Sequence, residues 1–176
     1  MAKKKVSPRK VPTREEKYMG LAFWIASFSK DPSTQCGAII VSKDNEPLGT
    51  GYNGPPSEYS DHDVDFGRPD KYDDMVHAEM NAIKYSDQTK LAGSKMYVTT
   101  KPCKICMLQI VNNNIKTVIY FAGQYYDSGS MMASKEMHDA TDEIARKGSC
   151  TLLKFNGNLN WMRDRVEQMV IMGIFD

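Results

Sequence analysis

Lys95-Met-Tyr-Val-Thr-Thr100 leads through Lys101-Pro102 into Cys103-Lys-Ile-Cys-Met-Leu-Gln-Ile-Val111, and Lys116-Thr-Val-Ile-Tyr-Phe121 follows. The first run reads as a strand, the second as a helix and the third as a strand. Pro102 stands at the helix entrance, where its missing N–H is harmless. Downstream, residues 130–147 read as a helix stopped by Gly148, Thr151–Phe155 as a last strand and Trp161–Met172 as a terminal helix. Trp161, Val166, Met169 and Val170 are the apolar candidates of that terminal helix.

Upstream, His77–Tyr85 reads as a helix. Gly37–Val41 reads as a buried strand and Leu48–Tyr52 as its hairpin partner, joined through Lys43-Asp44-Asn45. Thr13-Arg14-Glu15-Glu16 has the form of a capping box. It opens a helix with Tyr18, Leu21, Ala22, Ile25 and Phe28 at helical spacing, and Asp31-Pro32-Ser33 breaks the pattern. Residues 53–76 form a polar stretch long enough to suggest a functional loop. Helices alternate with strands, which predicts an α/β fold with one sheet covered on both faces.

The chain has 176 residues, 41% hydrophobic and 26% charged, the balance of one globular domain. No run approaches the roughly 18 apolar residues of a membrane span. The basic start leads into no apolar core with a cleavage site, so an intracellular protein is expected. Residues 1–14 carry Lys3, Lys4, Lys5, Arg9, Lys10 and Arg14 without an acid. The rest holds 17 basic against 22 acidic residues, a net charge of −5. An acidic body opposes a broad nucleic-acid footprint, although the tail alone can touch one.

Two short motifs carry chemistry: His77-Ala78-Glu79 and Pro102-Cys103-Lys104-Ile105-Cys106. A cysteine pair at this spacing on one turn at a helix start can grip a zinc ion, and the helix N-terminus favours the thiolates. His77 is the third ligand, leaving the fourth tetrahedral position to water, as in a catalytic site. Glu79 suits a place beside that water as proton carrier. His62, His138, Cys36 and Cys150 are the remaining His and Cys residues. Cys36 and Cys150 read as small buried thiols, His62 as a solvated loop residue and His138 as a surface or cap residue.

The H-x-E…P-C-x-x-C spacing is the general signature of zinc nucleobase deaminases. His77-Ala-Glu-Met-Asn-Ala-Ile83 and Tyr97-Val-Thr-Thr-Lys-Pro-Cys-Lys-Ile-Cys106 resemble the motifs of deoxycytidylate (dCMP) deaminases, of phage or eukaryotic type. The resemblance extends through Ser29–Ser33, Gly37–Val41, Gly49–Gly54 and Tyr125–Ser128, over roughly residues 14–156. It implies a three-layer α/β/α sandwich with a five-stranded mixed sheet. It implies hydrolysis of dCMP to dUMP and ammonia for thymidylate synthesis, in the cytoplasm (the host's for a phage enzyme). One catalytic Zn²⁺ on His77, Cys103 and Cys106 is implied, with Glu79 shuttling protons.

Asn53 is then similar to the residue holding the sugar hydroxyl. Backbone near Ala78 and Pro102 reads the pyrimidine edge, and Tyr125 or Tyr126 covers the ring or touches the 5′-phosphate. Lys30, Lys101, Lys104 and Arg68 are further phosphate candidates. Family members are often homo-hexamers activated by dCTP and inhibited by dTTP, with Mg²⁺ on the triphosphate. Lys30, Asp31, Gly51, Asn53 and Gly54 match regions tied to that effector site. The expected organisation is a basic flexible tail at 1–13, a deaminase domain at 14–156 and a helical extension of the same domain at 157–176.

Cys36 and Tyr126 depart from the family's usual residues, an aliphatic and a histidine. Two other readings remain open: a deaminase of single-stranded nucleic acid or tRNA, and a non-catalytic zinc or nucleotide-binding module. A redox role for Cys103 and Cys106 is a third.

Overall fold

A computed structural model describes residue 9 and residues 11–67, 74–121 and 135–172. Among these, the order is α1 (Arg14–Ala26), β1 (Gly37–Val41), β2 (Pro47–Tyr52), α2 (Ala78–Lys84), β3 (Lys95–Val98), α3 (Lys104–Asn112), β4 (Thr117–Tyr120), α4 (Lys135–Lys147), β5 (Thr151–Lys154) and α5 (Asn160–Ile171). The five strands form one sheet in the order β2-β1-β3-β4-β5. β1 is antiparallel to β2 and β3, whereas β3, β4 and β5 run parallel. The mixed α/β sheet matches the expectation. Parallel neighbours require crossovers, and α3 and α4 supply them.

Strand alternation divides the core in two. Ala38, Ile40, Met96, Val98 and Val118 face one side, against Ala78, Ala82 and Ile83 of α2, Met107 and Ile110 of α3 and Ala145 of α4. Ile39, Val41, Tyr97 and Ile119 face the other, against Tyr18, Met19 and Ala22 of α1. Phe23 meets Phe121 edge-on at 5.0 Å at the margin of that second layer.

Two glycines let helices rest directly on the hairpin. A Cβ on Gly37 would come 2.1 Å from the Ala22 carbonyl of α1, and one on Gly51 would come 2.2 Å from the Ala82 nitrogen of α2. The hairpin turn is held by Ser42 Oγ, which accepts from the Asp44 and Glu46 N–H groups. Asn45 takes the left-handed conformation there, at φ 66°. The Tyr18 hydroxyl donates to the Asn45 carbonyl at 2.5 Å and ties the turn to α1.

Thr13 and Glu16 close the predicted capping box. The buried stripe of α1 is Tyr18, Met19, Ala22 and Ala26; Leu21 and Phe28 are exposed instead. Phe28 lies past the end of the helix and stacks obliquely on Tyr52 at 6.2 Å. α5 reaches α1 through Trp161 and Met162, which lie over Gly20. No residue of α5 is buried, and Val166 and Val170 are exposed. Glu16 also accepts from the Asn158 N–H at 3.0 Å, joining the start of α1 to the approach to α5. No described helix is long and apolar enough to cross a membrane.

Candidate functional site

His77 caps the N-terminus of α2, and Cys103 caps that of α3. The His77 ring makes no bond to its own helix end, so it is free to point elsewhere. It points at the cysteines: Nδ1 is 3.6 Å from Cys103 Sγ and 3.3 Å from Cys106 Sγ. All three donor atoms lie within 4.8 Å of one another. Such separations suit ligands held at roughly 2.0–2.3 Å from one shared tetrahedral ion. The C-x-x-C spacing places both sulfurs on the first turn of α3, where the Cys106 N–H also points at Cys103 Sγ, at 3.5 Å.

The protonation pattern fits the same conclusion. The hydrogen bond from Cys106 is the largest cause holding the Cys103 thiol down at about 4. The same bond, with burial, pushes the Cys106 thiol up. Hydrogen bonding to Cys103 raises the His77 imidazole to about 9 against the opposing effect of burial. The three groups are therefore coupled to one another through their protons in a small space. A divalent cation can replace those protons and take all three groups in their ligating forms.

Glu79 stands in the first turn of α2 and is only 4% exposed. Burial is the main cause raising its carboxyl above the ordinary range, opposed by the charge of His77. A buried carboxyl that readily holds a proton, next to a metal site, has the character of a general acid and base.

The model for the cytidine and deoxycytidylate deaminase zinc-binding region matches residues 12–122. The chain belongs to this family. It is thus a hydrolase of the deaminase class. It is similar to the deoxycytidylate deaminase of Pongo abelii, 38% identical over 138 residues, covering 75% of this chain and 78% of that one. The deoxycytidylate deaminase of Mus musculus is 39% identical over 138 residues, with the same coverage. The dCMP deaminase of cyanophage S-TIM5 shares the fold. Its apo structure is 25% identical, covers 80% of this chain and 96% of that one, and has a TM-score of 0.58. The complex of that protein with dCMP and dUMP covers 84% and 100% at 24% identity, with a TM-score of 0.61.

The remaining predicted residues of the deaminase site fall in several places. Ala78 is fully buried under β2 and the sheet, and Pro102 is buried directly before Cys103. Asn53 is 8% exposed and works as a loop clamp. Its Oδ1 accepts from the Cys36 N–H at 2.7 Å, and its Nδ2 donates to the Thr34 carbonyl at 2.9 Å and reaches Asp31 Oδ2 at 3.4 Å. Asp31 is buried too, and its Oδ1 accepts from Ser33 and Thr34. Tyr125, Tyr126 and Arg68 lie outside the described residues.

The backbone at Gly51–Gly54 is engaged within the fold. The Asn53 N–H donates to the Cys36 carbonyl and the Gly54 N–H to the Val76 carbonyl, while Gly51 is pressed against α2. Lys30 and Lys104 are exposed. Lys101, read as a phosphate candidate, pairs with Asp142 of α4 at 2.6 Å. Cys36 is half-buried, accepts from the Thr100 hydroxyl and has its thiol pushed up to about 11 by burial. Cys150 is buried. His62 is exposed, and no metal-ligating group forms around it among the described residues. Thr99, Thr141 and Asp142 were not read as site residues; Thr99 ties the approach to Cys103 to Gly37 of β1, and Thr141 and Asp142 hold that approach from α4.

Proposed function

We propose that the chain hydrolyses dCMP to dUMP and ammonia at a zinc ion held by His77, Cys103 and Cys106. The observation that carries this reading is buried Glu79 adjoining that donor group, because a purely structural metal site has no use for a proton carrier. Zinc held there by His77, Cys103 and Cys106 would lower the pKa of a water to about 7 and so supply a nucleophile for C4 of cytosine. Glu79 would take one proton of that water and deliver it to the ring nitrogen, then carry the second proton from the new C4 hydroxyl to the amino group, which leaves as ammonia as the C4–N bond breaks. In this reading, backbone near Ala78 and Pro102 reads the pyrimidine edge, Asn53 takes the sugar hydroxyl, and Tyr125 or Tyr126 is assigned to the ring or the 5′-phosphate. The curated relatives, named deoxycytidylate deaminases, support dCMP as substrate.

The reading includes activation by dCTP and inhibition by dTTP, with Mg²⁺ on the triphosphate, in a cytoplasmic homo-hexamer. Exposed Trp24 and Phe28 of the α1 region supply apolar surface for subunit contacts. With Gly54 and Asn53 N–H groups used internally, effector phosphates would rely on side chains such as Lys30. Residues 14–156 form the deaminase domain of this reading, preceded by the basic tail and followed by a helical extension that α5 represents.

The test offers the zinc-loaded protein dCMP, cytidine and a cytosine oligonucleotide in parallel, with and without dCTP and Mg²⁺. Release of ammonia and dUMP from dCMP alone supports the reading, and a rise with dCTP supports the effector site. Reaction of the oligonucleotide instead of dCMP overturns it.

A further inference from the structure

The turn that delivers Cys103 is held from two sides. On the β1 side, the Thr99 N–H donates to the Gly37 carbonyl and the Gly37 N–H to Thr99 Oγ1, both at 3.0 Å. On the other side stands α4, 39 residues further along the chain. Thr141 is 1% exposed, and its hydroxyl donates to the Pro102 carbonyl at 3.2 Å. Next to it, Asp142 Oδ1 meets Lys101 Nζ at 2.6 Å, and the Lys101 side chain is only 8% exposed.

Pro102 precedes the cap of α3, so its carbonyl lies outside the helical ladder. The first bond of that ladder uses the Cys103 carbonyl, which accepts from the Met107 N–H. Thr141 therefore satisfies a buried acceptor one peptide from a metal ligand. Groups that orient ligands from outside the coordination sphere commonly change metal affinity by about 10–100-fold when removed.

We propose that Thr141 and Asp142 are positioning residues for the metal centre, through which α4 sets the place of Cys103. This inference rests on the zinc reading above. Zinc affinity is read by competition with a chromophoric chelator, which needs no turnover. Parental zinc binding without dCMP deamination would therefore defeat the proposed function and leave this inference testable.

Thr141→Val keeps the side chain's shape and removes the donor. Thr141→Ser restores it, and Asp142→Asn removes the charge at a position more than half exposed. Tyr18→Phe is the control: it removes another hydroxyl-to-carbonyl bond, part-buried, on the opposite face of the sheet. The expected result is about a tenfold loss of zinc affinity in Thr141→Val and a smaller loss in Asp142→Asn. Parental affinity is expected in Thr141→Ser and Tyr18→Phe. With zinc saturating, kcat falls in Thr141→Val while KM for dCMP holds. Parental zinc affinity in folded Thr141→Val overturns the inference, as does an equal loss in Tyr18→Phe. If Thr141→Val does not fold, Asp142→Asn decides, and parental affinity there overturns it.

Discussion

Cys106 Sγ lies 3.3 Å from His77 Nδ1 across 29 residues of chain. The contact joins the first turns of α2 and α3. It depends on both helices starting at the same end of the sheet. Cys106 is 1% exposed, so this ligand is reached only from within the site.

Cys106→Ser is expected to leave two strong donors and lower zinc affinity by at least about tenfold, since thiolate suits zinc better than a hydroxyl. The fold should persist, because the volume change is small. Chelator competition and far-UV circular dichroism check both statements. Undiminished zinc affinity would mean that the ion, where bound, uses other donors.

Gly51→Ala should unseat α2. A Cβ there meets the Ala82 nitrogen at 2.2 Å and the Ala78 carbonyl at 2.4 Å, both backbone atoms that cannot rotate away. A destabilisation of about 1–3 kcal/mol is expected from such overpacking. Urea unfolding measures it. Zinc affinity should fall with it, because His77 caps the displaced helix. Parental stability would mean that β2 and α2 separate freely.

Stability should decline at alkaline pH through the buried thiols. Burial raises the Cys150 thiol from 9.0 to about 11. The folded chain thus keeps a proton that the unfolded chain gives up. That contribution is fully present below about pH 9 and is lost as pH rises through about 11. Cys150→Ala should flatten the fall in unfolding free energy over this window, measured by urea titration at several pH values. An unchanged slope would assign the loss to other groups, such as Tyr97, which burial raises to about 12.

The chemistry of the centre was legible because its signals are local. H-x-E and P-C-x-x-C are each contained in one turn, and a helix start is visible from Pro102. A single sheet covered by helices followed from short apolar runs separated by helical ones, with the hairpin marked by Lys43-Asp44-Asn45, whereas its five-stranded mixed order came from the family resemblance. The stripe of α1 was misread at Phe28 because periodicity continues past Ala26, where the helix stops. Gly51 and Gly54 entered only through the resemblance to the family's effector region. Only the structure shows Gly51 packed against α2 and the Gly54 N–H bonded to Val76. Thr141 carried no signal at all, since its partner Pro102 is remote in sequence and the link is one hydroxyl.

The most direct test compares the parent chain with Glu79→Gln, both loaded with zinc, by metal content and by release of ammonia and dUMP from dCMP. The amide preserves shape and loses the exchangeable proton, so zinc content should stay parental while kcat drops by about 10²–10⁴-fold. Full turnover by Glu79→Gln with zinc in place would contradict the account.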